Sequence, residues 1–281
     1  MTMRAINDIH KPGSRRIGRI NGLGLWTVYE KEVRRFLKVW MQTIGAPAVQ
    51  AILFFLIFAV VLGGSDRVTT SVAYTQFLAP GLIIMALLQN SFANTSSSLI
   101  IAKVQGTIVD VLMPPLSPAE LTLGFVAGGV TRGLTICAVL IGCFALLPIP
   151  AIMITHPLAI LYFGAGAAIM LSLMGILTGI WAEKFDHVAT ITNFIVGPLT
   201  LLSGTFYSID RLKEKMGSGA QWLEPILAFN PFFYMIDGFR YGFIGEADSS
   251  VMTGAMVIAG IDVLLWVITW RALKSGWRLK S

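Results

Sequence analysis

Met41-Gln-Thr-Ile-Gly-Ala-Pro-Ala-Val-Gln-Ala-Ile-Leu-Phe-Phe-Leu-Ile-Phe-Ala-Val-Val-Leu-Gly-Gly-Ser65 contains no charged side chain. A helix needs about 20 apolar residues to cross the hydrocarbon core of a bilayer. The stretch therefore predicts a span over Gly45 to Leu62, with Pro47 in the first turn, where its missing N–H costs no hydrogen bond. Five more runs of this kind follow, at Phe77 to Leu99, Leu121 to Pro148, Leu158 to Ala182, Ala189 to Phe206 and Val251 to Trp270. Of the 281 residues 55% are apolar and 13% charged, whereas soluble domains carry about 25% charged residues. The fold class is all-α: a polytopic membrane protein with six transmembrane helices, organised as one transmembrane domain over residues 1–281.

The net charge of +6 does not point to nucleic acid, because the basic residues crowd the two ends of the chain and leave the apolar runs almost bare. With six spans, fifteen Lys and Arg fall on the side of the termini and five (Arg67, Arg211, Lys213, Lys215, Arg240) on the other. Positive-inside bias then puts both termini in the cytoplasm. Cys137 and Cys143 lie in one apolar run with no histidine or carboxylate at ligand spacing, which indicates no disulfide framework or metal site and points to packing. His10, His156 and His187 fall outside the spans, so a proton relay lacks its groups. The basic, aromatic N-terminus has no short apolar core followed by a cleavage site, and no segment is expected to be removed.

Residues 1–42 read as a polar arm followed by an amphipathic helix. From Leu23 to Trp40, apolar residues recur at three- and four-residue steps, with Trp26 and Trp40 near its ends and Lys31, Arg34, Arg35 and Lys38 between. Two readings stand: a helix lying in the membrane interface with its cations toward headgroups, or a solvated helix packed on a partner domain. The tail of the second span, with Asn90, Asn94, Ser96, Ser97 and Ser98, is polar enough to face protein or water. Gly197 and Pro198 predict a kink in the fifth. Before the last span, residues 207–250 hold an apolar stretch from Trp222 to Met235 cut by Glu224, Pro225, Asn230 and Pro231. It is too short to cross and reads as short re-entrant helices.

The loop over residues 100–120 is Lys103-Val-Gln-Gly-Thr-Ile-Val-Asp-Val-Leu-Met-Pro-Pro-Leu-Ser-Pro-Ala-Glu120. Gly106 and Thr107 can open a short helix carrying Asp110, with Thr107 as its cap. Pro114 and Pro115 end it, and Ser117 with Glu120 offers a capping box for the third span. A stiff helix between two turns is a lever or a rigid connector.

This loop, with Leu202-Ser-Gly-Thr-Phe-Tyr-Ser-Ile-Asp210 and Phe229-Asn-Pro-Phe-Phe-Tyr-Met-Ile-Asp-Gly-Phe-Arg240, resembles the permease subunits of type-2 ATP-binding cassette (ABC-2) exporters over nearly the whole chain. In the second motif Ser208 and Lys213 to Met216 stand where the family commonly has prolines. The resemblance implies a homodimer in the bacterial inner membrane, in contact with membrane lipids and bound to two copies of a cytoplasmic ATPase that holds ATP and Mg. By the same likeness, Gly106, Thr107, Asp110, Pro114 and Pro115 belong to the coupling helix that meets the ATPase. Trp26, Arg34, Arg35 and Trp40 belong to the interface helix. Gly204, Phe206, Tyr207, Asn230, Pro231, Asp237 and Arg240 belong to the extracytoplasmic re-entrant motif. The chain has no Gly-x-x-x-x-Gly-Lys-Ser/Thr loop, so no cofactor of its own and no enzymatic activity are expected.

Arg132 and Asp262 are the exceptional charges within spans, and such groups usually face a bundle interior or a wet cavity. Arg132 either contacts substrate, for instance an anionic headgroup, or snorkels toward the surface or satisfies helix ends. Asp262 is a candidate partner for it. Phe232 and Tyr234 line an exit path or form part of an interfacial aromatic belt. Gly124, Gly128, Gly129 and Gly133 in the third span, and Gly175 and Gly179 in the fourth, permit close helix approach. The alternative function is a secondary transporter or channel without an ATPase partner, but the Pro114-Pro115 loop has no counterpart in the second half. An intramembrane enzyme lacks a His-Glu-x-x-His or Gly-x-Ser-x-Gly motif.

Overall fold

A computed structural model of the chain describes residues 20–62, 74–147, 152–207 and 229–278. Residues 1–19 of the arm, the stretch from 208 to 228 and most of the turn after the third span lie outside them. The described residues form helices joined by turns. Six of these are long and apolar enough to cross a membrane, as the sequence predicts.

Helix α1 (Gly22–Lys38) leads through a π turn (Met41–Gly45) into α2 (Ala46–Leu62), the first span. The second span is α3 (Tyr74–Val104), followed by the short α4 (Ile108–Leu112) and by α5 (Pro118–Ala145), the third. The fourth is α6 (Pro157–Trp181). The fifth is broken: α7 (Phe185–Ile191), a π turn (Thr192–Val196) and α8 (Gly197–Leu202). Pro198 cannot donate into the α ladder, and the irregular turn sits directly before it. After α9 (Pro231–Ile244), the chain closes with α10 (Val251–Ser275).

α3 is the axis of the bundle and packs chiefly on α6 and α5. Within its most apolar window 78% of the residues are buried, against 22% for the first span and 11% each for the fifth and sixth. The outer spans consequently turn apolar surface such as Leu53, Ile57, Phe194, Val263 and Leu264 outward. In water that surface would be costly; in lipid it is solvated. α3 runs past the expected Leu99 to Val104 because its polar tail is paid for by protein contacts: Asn90, Asn94, Ser96 and Ser98 are all buried.

Close approach needs glycine at two contacts that matter for the bundle and its amphipathic helix. A Cβ on Gly175 of α6 would lie 2.6 Å from the Phe92 carbonyl of α3, and one on Gly128 of α5 would lie 2.5 Å from Glu32 Cβ of α1. The first contact joins two spans; the second seats the amphipathic helix on the bundle. α9 has 14 residues, about 21 Å of helix at 1.5 Å per residue, so it is too short to cross. It packs between α6, α3 and α10, at the end of the bundle opposite the Pro114-Pro115 loop.

Candidate functional site

The proline-bounded loop is tied at both ends. Gly106 takes φ +72°, a left-handed turn that suits glycine, and α4 follows at once. Thr107 stands at the N-cap position without capping: its hydroxyl donates back to the Ala102 carbonyl at 3.4 Å, so the expected cap is corrected. Ser117 and Glu120 do form the capping box, with the Ser117 amide donating to Glu120 Oε2 at 2.7 Å and the Glu120 amide to Ser117 Oγ at 3.3 Å. The other oxygen of Glu120 accepts the Asn21 amide, while Asn21 Nδ2 donates to the Pro115 carbonyl at 3.2 Å. The loop is thereby stapled to the start of α1. Gly106, Thr107, Asp110, Pro114 and Pro115 are exposed, as are the apolar Val109 and Met113 between them.

Lys103 anchors the other side of the loop. Its Nζ donates to the carbonyls of Ile180 and Ala182 at 2.7 and 2.6 Å, satisfying the C-terminal end of α6. Arg278 reaches the Trp181 carbonyl there as well, at 3.2 Å.

α1 is held to the bundle by a buried polar cluster. Glu32 is fully buried; its Oε1 accepts Ser98 Oγ at 2.6 Å and its Oε2 accepts Arg35 Nη2 at 2.9 Å. Arg35 also donates to the carbonyl and side-chain oxygen of Asn94, at 2.6 and 3.0 Å, and to Ser97 Oγ at 3.0 Å. Arg35 therefore points into the protein and not toward headgroups, because a buried carboxylate awaits it there. Arg34 keeps to the outer side and pairs with Glu30, and Trp26 and Trp40 are more than half exposed.

At the far end, Asn230 caps α9 by accepting the Phe232 amide at 3.1 Å, with Pro231 at the first helical position, and its Nδ2 donates to Ser203 Oγ at 2.8 Å. Gly204, in a left-handed turn, offers its carbonyl to Arg240, whose guanidinium lies 3.8 Å from the centre of the Phe77 ring. Asp237 accepts the amides of Asp248 and Ser249 at 2.8 and 2.9 Å and so fixes the approach to α10. Phe206 stacks against Phe58, and the Tyr207 hydroxyl donates to the Leu202 carbonyl.

Residues 24–244, which hold the bound loop, the seated amphipathic helix and the capped short helix, match the ABC-2 type transporter family. The chain belongs to that family. Over 259 residues it is 33% identical to the inner membrane transport permease YadH of Escherichia coli K12, covering 92% of this chain and 98% of the relative. The YadH proteins of Escherichia coli O157:H7 and Shigella flexneri match over the same shares. This ABC-2 chain is accordingly a multi-pass inner-membrane protein and the membrane subunit of an ABC transporter. Family membership implies association with an ATP-binding cassette ATPase.

Within the ABC-2 bundle the two intramembrane charges do not meet. Arg132 of α5 donates through Nε and Nη2 to Asn90 Oδ1 of α3, at 3.2 and 2.9 Å, and is 9% exposed. It neither snorkels nor caps a helix end: the amide of Asn90 takes its donors inside the bundle. Asp262 faces α6 instead, beside Gly166. Phe232 is 1% exposed and part of the core, so it lines no open path in this conformation; Tyr234 is half-buried. Sequence reasoning missed Glu32 and Asn21. Two acids, Glu30 and Glu32, interrupt the basic amphipathic helix and were the available signal for Glu32, whereas nothing local marks Asn21.

Proposed function

We propose that this ABC-2 subunit works as a homodimer that exports an amphipathic or lipid-linked molecule, a drug or a polysaccharide from the cytoplasmic side of the inner membrane. Two copies of a separate ATPase, holding ATP and Mg, drive it. Both termini and the Gly106–Pro115 loop face the cytoplasm in this reading, in line with the excess of basic residues there. Residues 204–207 and 229–245 then lie at the outer end.

The observation that carries the proposal is the double attachment of the exposed loop. α4 offers Val109, Asp110 and Met113 to a partner, while Glu120 and Asn21 link the same loop to α1. α1 in turn is locked by Glu32 and Arg35 to α3, the axis of the bundle. A push on α4 reaches the spans by a run of hydrogen bonds that starts at the surface, at Glu120 and Asn21, and ends in the buried Glu32 contact with α3. ATP closes the two ATPases, the loops move with them, and the two bundles rock so that the cavity between them opens outward. Such coupling does work only if ATP favours one arrangement over the other.

The reading is tested by reconstituting the chain with its ATPase and comparing wild type with Val109→Asp and Pro115→Trp. Loss of permease-stimulated ATP hydrolysis, with the bundle still folded, supports docking through α4. ATPase rates indifferent to both substitutions count against it.

A further inference from the structure

Asp262 stands near the middle of the 25-residue α10. A carboxylate at that depth is costly unless it is paired or hydrogen-bonded. Among the described residues it is neither: Oδ1 is shielded from solvent without a hydrogen-bond partner, and Asp262 joins no ion pair. The carboxylate lies along α6 where Gly166 provides no side chain; a Cβ there would be 3.7 Å from Oδ2. It lines a groove of about 680 Å³ between α6 and α10, with Leu161, Tyr162, Gly166, Ile258 and Ala259 among its walls. Tyr162 would be the natural donor, but its hydroxyl is committed to the Ala255 carbonyl at 2.8 Å, leaving the ring as a wall. Leu161, Tyr162 and Val263 are about half exposed or more, so the groove opens outward toward the acyl chains.

We propose that this groove binds a lipophilic monovalent cation entering from the bilayer, with Asp262 as counter-charge and the Tyr162 ring as an aromatic face beside it. The apolar walls suit an apolar body, and the single unpaired acid suits one positive charge held in a medium of low dielectric. A neutral ligand would leave the carboxylate unpaired. A phospholipid ammonium sits at the interface, about 15 Å from the middle of a 30 Å core, out of reach of this position.

The site needs neither ATP nor a partner ATPase, so its failure and the failure of the exporter reading are separable. The test is equilibrium dialysis of tetraphenylphosphonium against the full chain in phosphatidylcholine nanodiscs, with empty discs subtracted and neutral triphenylphosphine oxide as control. Wild type is expected to bind the cation saturably. Asp262→Asn should weaken binding about tenfold or more while Asp262→Glu retains it. Ala259→Trp, at an exposed groove position, should block binding without a change in melting temperature. Absence of saturable binding to wild type, equal binding by Asp262→Asn, or co-purification of a membrane polypeptide that depends on Asp262 would each overturn the proposal.

Discussion

Arg35 of the amphipathic helix grips Asn94 of the central span twice, through the backbone carbonyl at 2.6 Å and the side-chain oxygen at 3.0 Å, while the same guanidinium nitrogen also holds Glu32. Breaking a buried pair from one side leaves the other charge uncompensated and costs about 3 kcal/mol. Arg35→Ala, which leaves the fully buried Glu32 carboxylate without its cation, should therefore lower the melting temperature of the purified chain more than the double variant Glu32→Ala/Arg35→Ala does. Equal or additive losses in that double-mutant cycle would mean that the pair is not coupled.

Glu120 accepts from Ser117 with one oxygen and from Asn21 with the other, so it joins the loop, α5 and α1. Glu120→Ala is expected to reduce permease-stimulated ATP hydrolysis more than Asn21→Ala, with little change in the amount of complex recovered. The readout is the rate of ATP hydrolysis per recovered complex, which falls as the attachment loosens.

Glycine tolerance divides by what each position faces. Gly175→Ala forces a Cβ to within 2.6 Å of the Phe92 carbonyl and should destabilise the bundle by about 2 kcal/mol. Gly142 has open space around it, so Gly142→Ala should be neutral or slightly stabilising, since alanine is the better helix former. Thermal unfolding in detergent distinguishes the two.

The number and approximate place of the spans were legible because hydrocarbon thickness imposes a length on every crossing helix, though several ends lie three to five residues from those expected, and Ser117 with Glu120 was legible because a capping box is local. What escaped the sequence was long-range. Asn21 meets Glu120 across 99 positions, and Arg35 meets Asn94 across 59. Basic residues on an amphipathic helix look alike in sequence, and it is the buried Glu32 together with Asn94 and Ser97 of α3 that turns Arg35 inward while Arg34 pairs with Glu30 outside. Thr107 had the residue type of a cap, but its hydroxyl found the Ala102 carbonyl of the preceding turn. Arg132 drew notice as a charge in a span, whereas its partner Asn90 is one polar residue among several in the same helix.

Asn90→Ala would strand the Arg132 guanidinium inside the bundle, at a cost of about 2 kcal/mol. Arg132→Gln keeps a donor for Asn90 and should leave expression near normal while reducing cargo transport. Normal transport by Arg132→Gln would remove Arg132 from the translocation pathway and leave it a packing role.

The central claim is that this subunit provides the passage and another polypeptide the energy. Its most direct test is cargo flux in proteoliposomes containing the chain with and without its ATPase, in the presence of ATP and Mg. Flux that requires both proteins and stops when hydrolysis is blocked is the predicted result; undiminished uphill flux from the chain alone would contradict it.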